Sequence, residues 1–129
     1  MTKLDDLFRF SQNALNVHAH RQQLIASNIA NADTPGYKAR DIDFAATLKA
    51  VEAAHAAKPQ LKPLRAGGPE ATPLGAELLY RSVVQRSVDG NTVDLDVERA
   101  QFAENAVRYE AQLMFIGGQV KSMLAAIQG

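Results

Sequence analysis

The stretch that decides the fold is residues 27–44, SNIANADTPGYKARDIDF, where a chain rich in Ala, Leu and Gln meets Thr-Pro-Gly-Tyr at 34–37. Pro35 disfavours the α conformation of the residue before it, because its ring clashes with the preceding backbone. A Pro-Gly pair at the centre of four residues suits a type II turn, in which Gly36 takes a positive φ. We therefore expect the preceding helix to end near residues 32–33.

Two asparagines precede this turn. Asn28 and Asn31 lie three residues apart in the last turns of the predicted helix, where their amides can bond exposed carbonyls or a neighbouring backbone. We interpret the stretch as a joint between two building elements and not as a catalytic loop. The joint residues are predicted to be Asn28, Asn31, Thr34, Pro35, Gly36 and Tyr37.

Upstream of the joint, residues at alternating steps of four and three have the heptad spacing of a helix with one seam. This predicts an N-terminal coiled-coil helix over residues 1–33. Five of its eight seam positions are apolar, and Ser11, His18 and Gln22 are polar. The positions are Leu4, Phe8, Ser11, Leu15, His18, Gln22, Ile25 and Ile29.

The other end of the chain has a second seam with the same spacing. Asp94 and Asp96, followed by Glu98, supply an N-cap and first-turn negative charge. A C-terminal coiled-coil helix is predicted over residues 96–129, roughly 45 Å long like the first. Its seam positions are Phe102, Ala106, Tyr109, Leu113, Ile116, Val120, Met123 and Ile127.

The middle region, residues 34–95, is less regular. Phe44 follows a capping Asp43 and starts a short helix that is predicted to reach about His55. Residues 56–75 hold four of the five prolines and three glycines, which indicates an irregular insert.

A turn signal follows the insert. Asp-Gly-Asn at 89–91, flanked by β-branched residues, is typical of a small β-hairpin, with strands near Ser82 to Val88 and Thr92 to Leu95. The predicted fold class is mainly α.

Composition limits the classes of function. The 129 residues suit one domain with a thin core, since 47% are hydrophobic but only 6% aromatic. Fourteen basic residues balance fourteen acidic ones, so no general attraction to nucleic acid or anionic membranes follows. The absence of cysteine excludes disulfides and thiolate zinc sites. Asp5 and Asp6 interrupt any secretory signal, so we expect no cleaved signal peptide.

Candidates for catalysis are weak. His18 and His20 are two residues apart, so on a helix they point to roughly opposite faces, whereas a shared metal ion favours a spacing of three or four. We interpret them as seam or interface histidines. The acidic run within 89–98 lacks the spacing of a calcium loop and fits a turn and helix cap better. No serine lies in a nucleophile elbow, and no phosphate-binding loop is present.

The polar seam positions and the pair Gly117-Gly118 are expected to weaken an isolated helical hairpin, since each mid-helix glycine costs about 1 kcal/mol against alanine. We therefore expect the terminal helices to become fully ordered only against neighbouring chains.

These motifs carry a family resemblance. Residues 27–44 closely resemble the N-terminal signature of flagellar axial proteins, the rod and hook group. Together with DGNTVDLDVERAQFAENAVRYEAQ at 89–112, they are similar to the proximal-rod subunits of the flagellar basal body. The resemblance covers about residues 1–48 and 78–129 and fades in the Pro/Ala/Gly-rich middle, so nothing is carried over there.

The resemblance implies a structural protein whose terminal helices pair as an antiparallel coiled coil lining the inner tube of a periplasmic rod. Subunits would stack helically, transmit torque and form the wall of the export channel. It implies export through the flagellar type III apparatus without a cleaved signal peptide. The implied partners are other rod proteins, the adaptor between membrane ring and rod, the membrane ring and export gate, and further copies of the chain, with no cofactor, nucleic acid or small-molecule substrate.

Two other classes remain open from the residues alone. One is a helical adaptor or regulator that binds one soluble partner through the same seam. The weaker one is a small metal-dependent enzyme that uses His18, His20 or the acidic run within 89–98.

Overall fold

The computed structural model describes residues 3–56, 79–80 and 90–129. Three helices account for most of this part of the chain, which confirms the mainly α prediction. In chain order the elements are α1 (Lys3–Ala30), β1 (Arg40–Asp41), α2 (Phe44–Ala56), β2 (Leu79–Tyr80) and α3 (Leu95–Gln128).

The helix boundaries follow local capping chemistry. α1 ends at Ala30, slightly before the predicted end, and turns occupy the residues that follow. α2 begins directly after Asp43, whose carboxylate accepts a hydrogen bond from the Ala46 amide at 3.1 Å. Asp94 caps α3 in the same way and accepts from the Asp96 and Val97 amides. Both predicted caps are confirmed.

The predicted strand at Thr92 to Leu95 is wrong. Residues 91–94 form no regular secondary structure, and Leu95 already begins α3. The reason is that Thr92 bonds to the joint instead of a hairpin partner: its amide donates to the Tyr37 carbonyl at 2.9 Å, and its hydroxyl accepts from the Ala39 amide at 2.8 Å. The predicted partner strand and residues 57–75 of the insert lie outside the described residues.

The strand pair that the structure describes joins two other segments. β1 and β2 are antiparallel, with Arg40 opposite Tyr80 and Asp41 opposite Leu79. β1 follows the joint directly in the chain, so this strand pair connects the joint with residues 79–80 of the middle region.

The hydrophobic core lies between α1, α2 and the short segment that joins them. Its buried members are Val17, Ile42 and Val51, and Leu24, Phe44 and Leu48 pack against them. Residues of α3 do not belong to this cluster, so a different kind of contact attaches α3.

Part of the contact between α1 and α3 consists of polar side chains. Side chains of α1 and α3 bond in reverse chain order, since Ser11 pairs with Gln119, His18 with Asn105 and Asn28 with Glu98. The two long helices therefore run in opposite directions. The expectation that Ser11, His18 and Gln22 simply weaken the pair needs correction, because each of them has a hydrogen-bond partner on α3, Gln22 through the Phe102 carbonyl and Asn105.

No helix within the described part of the chain has a segment apolar enough, over sufficient length, to cross a membrane.

Candidate functional site

The turn at the joint has the predicted backbone. Gly36 has a φ of +72°, and the Tyr37 amide donates to the Thr34 carbonyl at 3.2 Å across the turn. A positive φ at the third of four residues is what a type II turn requires. Thr34, Pro35 and Gly36 are exposed, so the turn projects into solvent.

Asn28 holds the joint from within. It is fully buried and makes four hydrogen bonds, which use both the donors and the acceptor of its amide. Its Nδ2 donates to the Arg40 carbonyl at 2.7 Å and to Glu98 Oε2 at 3.1 Å. Its Oδ1 accepts from the Arg40 amide at 3.0 Å and from the Tyr37 hydroxyl at 3.2 Å. One side chain of α1 thus binds the joint, β1 and α3 together.

Asn91 closes the end of α1 from a distant part of the sequence. Its Nδ2 lies 2.9 Å from the Asn31 carbonyl, 2.9 Å from the Ala32 carbonyl and 2.7 Å from the Thr34 carbonyl. These are carbonyls beyond the last turn of a helix, which need partners from outside it. Asn91 therefore fixes the direction in which the chain leaves α1.

The side chain of Asn31 makes only local hydrogen bonds by comparison. Its Nδ2 donates to the Ser27 carbonyl at 2.8 Å, and its Oδ1 accepts from the Thr34 hydroxyl at 3.1 Å. Of the two predicted asparagines, Asn28 is the one that joins separate elements.

A second polar contact, centred on Arg21, joins α1, β1 and α3 between two and three helical turns before the end of α1. Arg21 forms a two-point ion pair with Asp41, at 3.0 Å and 3.1 Å, and its Nη2 also donates to Gln101 at 2.9 Å. The hydrogen bond to Asp41 raises the pKa of Arg21, although burial opposes the shift. Both side chains are mostly buried, so solvent screens this pair less than a surface pair.

The candidate metal residues His18 and His20 are a buried and a half-buried side chain of α1. His18 is buried, stacks on Phe44 and faces Asn105. Burial lowers the pKa of His18 and also that of His20. Among the residues that the structure describes, no three His, Asp or Glu side chains converge as metal ligands would.

The predicted seam residues divide into two groups. On α1, Ile25 is fully buried, while Leu15 and Ile29 are half-buried. On α3, Tyr109 and Ile116 are half-buried, but three others are exposed: Leu113 at 44%, Val120 at 42% and Ile127 at 79%.

The exposed members of the α3 seam form a row on one flank of the helix. The polar bonds to α1 come instead from one heptad series of α3, through Glu98, Asn105 and Gln119. At 100° per residue, Leu113, Val120 and Ile127 lie about 100° around the helix from this series. We call the row of exposed seam residues the α3 flank; it consists of Phe102, Leu113, Val120 and Ile127.

Two open apolar grooves run beside the helix pair. The first lies between the start of α1 and the end of α3, where Leu4, Leu7 and Phe115 flank Gly118. The second uses part of the α3 flank, with Phe102 and Tyr109 facing Ala19 and Ala26 of α1. Mostly apolar walls, with Glu110 the charged residue of the second groove, suit packing against another helix better than catalysis.

Sequence reasoning missed the roles of Asn91, Asn105 and the buried carboxylate of Glu98. A signal for the polar face was present, because Glu98, Asn105, Gln112 and Gln119 recur every seven residues. No local pattern marks Asn91, whose carbonyl partners lie 57 to 60 residues earlier.

A helix pair fixed by internal polar bonds, with its apolar flank exposed, is typical of structural proteins that assemble through their helices. Comparison with known proteins agrees. The family described as "Flagella basal body rod protein" matches residues 8–38. Three relatives are flagellar basal body rod proteins FlgB, from Escherichia coli K12 (48% identical, 99% of this chain, 97% of the relative), Proteus mirabilis HI4320 (47%, 99% and 98%) and Cereibacter sphaeroides (42%, 100% and 99%).

The chain belongs to the FlgB family of flagellar basal body rod proteins, because this similarity extends over nearly its whole length. It is a structural subunit of the rod and not an enzyme. The family implies a location in the flagellar basal body and association with other rod components. The alternative of an adaptor for one soluble partner is not supported.

Proposed function

We propose that this chain is a subunit of the proximal rod, in which α1 and α3 form an antiparallel coiled coil along the inner tube. Copies stack helically through the α3 flank and the two grooves, form part of the wall of the export channel and transmit torque. In this arrangement residues 1–33 are one inner helix and residues 96–129 are the other. Residues 34–95 hold the joint and the outer region.

The exposed α3 flank is the observation that carries this proposal. Leu113, Val120 and Ile127 leave a row of exposed apolar surface along a long helix, while polar residues of the same helix bond to α1. Apolar side chains in a continuous row favour burial, at about 25 cal/mol per Å² removed from water. Within a rod, the available cover is a helix of a neighbouring subunit.

The glycine pair fits a further contact of the same kind, at the first groove. Among the residues that the structure describes, no heavy atom beyond the local backbone lies within 4 Å of a Cβ built on Gly117 or Gly118, so the packing of this part of the chain does not require glycine there. Gly118 lies on the floor of the first groove. A close approach by a helix from another subunit would require small residues at that place.

The joint sets the geometry between helix and outer region. The joint residues keep the turn in one conformation, supported by the hydrogen bonds of Asn28 and Asn91. These residues are Asn28, Asn31, Thr34, Pro35, Gly36 and Tyr37. A fixed angle at this point gives every subunit in a helical stack the same shape.

The resemblance to rod proteins supports the remaining parts of the proposal. The chain is exported through the flagellar type III apparatus without a cleaved signal peptide and assembles in the periplasm. Its partners are the adaptor between membrane ring and rod, the other rod proteins, the membrane ring and the export gate.

Val120→Asp tests the proposal. Val120 is 42% exposed, so we expect the variant to fold and to be exported normally, but to abolish swimming because an unpaired charge enters the subunit contact. The assay measures export and motility separately in cells that lack the native protein. Ala103→Asp is the matched control, since Ala103 is exposed on the side of α3 away from α1 and off the flank, and it should swim. Normal swimming by Val120→Asp would contradict the proposal.

A further inference from the structure

His18 lies at the point where the three helices meet. The side chain belongs to α1 and is 7% exposed. Its ring stacks on the ring of Phe44 from α2, with centroids 4.2 Å apart and an angle of 20° between the planes. On its other side it meets Asn105 of α3. A change in this ring therefore acts on the packing of all three helices.

The hydrogen bonds around Asn105 determine which ring nitrogen carries the proton. Asn105 Nδ2 donates to the His18 carbonyl at 2.8 Å and to Gln22 Oε1 at 2.8 Å, which uses both of its protons. Its Oδ1 is therefore the atom that faces His18 Nδ1 at 3.2 Å, and Nδ1 is the donor. The neutral ring with the proton on Nδ1 satisfies this network, and protonation adds a proton at Nε2.

The charged groups around the ring oppose a positive charge. Arg21 on α1 and Arg108 on α3 both act on His18 with the same sign as an imidazolium. The carboxylates that these arginines engage are Asp41 and Glu104. The group that α2 places against the ring is the uncharged Phe44. Burial and the two arginines therefore disfavour an imidazolium at this position.

We propose that His18 is an acid-sensitive latch: its neutral ring fits the buried site where α1, α2 and α3 meet, and a proton at Nε2 places a positive charge in that site and so destabilises the three-helix unit. The inference concerns the folded chain itself and does not depend on its place in the rod.

The direction of the pH effect follows from linkage. Burial, the largest cause, lowers the pKa of His18 below 6.5, the bond to Asn105 opposes this, and the two arginines lower it further. In a group whose pKa is lowered by folding, the stabilisation is complete above about pH 6.5 and is lost as the pH falls toward the lowered value. Below the lowered value the loss stays constant. In acid, the unfolding equilibrium constant rises by up to about tenfold for each pH unit by which folding lowers the pKa of His18.

The experiment uses the full chain. The pKa of each histidine is measured by NMR titration, and urea unfolding is measured at about pH 7.5 and about pH 5 for the wild type, His18→Gln and His20→Gln. We expect His18 to titrate below 6.5. We also expect acid to raise the unfolding equilibrium constant of the wild type and His20→Gln more than that of His18→Gln, which has no titrating ring.

Two results would overturn the latch. One is a His18 pKa at or above 6.5, which the wild-type titration reports even if His18→Gln does not fold. The other is an equal response of the wild type and His18→Gln to acid, which would show that titration of this ring does not control the packing.

Discussion

At the scale of single residues, asparagine amides determine how the chain turns. Asn28 and Asn91 each satisfy backbone groups in segments far apart in sequence, and Asn105 does so between α1 and α3. An amide suits this task because it is both donor and acceptor and carries no charge that burial would penalise. Gly36, like Gly90, supplies a positive φ that a side chain would resist.

Replacement of Asn28 should show that the joint depends on its internal bonds. Asn28→Ala leaves the Arg40 amide and carbonyl and the Glu98 carboxylate without this partner, and we expect it to lower the free energy of unfolding by about 2–3 kcal/mol. Asn31→Ala, the matched control, removes only local bonds at a partly exposed place and should cost less than about 1 kcal/mol. Urea unfolding of both variants measures the difference. Equal costs would show that Asn28 has no special role.

The residue scale also explains what the sequence could predict. The caps at Asp43 and Asp94 and the positive φ of Gly36 depend on neighbours within a few positions, so local rules suffice. The strand at Thr92 was mispredicted because its hydrogen-bond partners, Tyr37 and Ala39, lie more than fifty residues earlier. A turn signal at 89–91 does not reveal such partners.

At the scale of elements, α3 has two different sides. Its polar residues Glu98, Asn105 and Gln119 bond to α1, and the apolar α3 flank lies beside them. Hydrophobic periodicity predicted the helix and its apolar row, since both depend on the 3.6-residue repeat. It did not predict that polar residues face α1, because an apolar row indicates burial but not which partner covers it.

The glycine pair in α3 provides a test at this scale. Replacing Gly117 and Gly118 together by alanine should stabilise the isolated chain by about 1.5–2 kcal/mol, because alanine favours the helix. The added methyl groups have no heavy atom of the described residues within 4 Å, apart from the local backbone. The same methyl groups should crowd a neighbouring helix and reduce motility. Urea unfolding and a swimming assay measure the two effects. A variant that gains stability and swims as well as the wild type would show that no close helix contact occurs there.

At the scale of the whole molecule, a small internal core is combined with a large exposed apolar surface. Its apolar core is small and lies between α1 and α2, and polar bonds hold α3. Much of its large apolar surface, including Met114, Phe115 and Ile127, remains exposed. This distribution suits a subunit that buries further apolar surface in an assembly, and the chain's relatives are flagellar rod proteins.

The measurement that tests this account most directly is the accessibility of Val120 in isolated chains and in purified basal bodies. The chain has no cysteine, so Val120→Cys introduces a single thiol for labelling by a maleimide. Swimming of this conservative variant first establishes that it assembles. We predict rapid labelling of the isolated chain, where Val120 is 42% exposed, and strong protection in the basal body. Equally rapid labelling in both would show that the α3 flank stays open to solvent in the rod and would contradict the account.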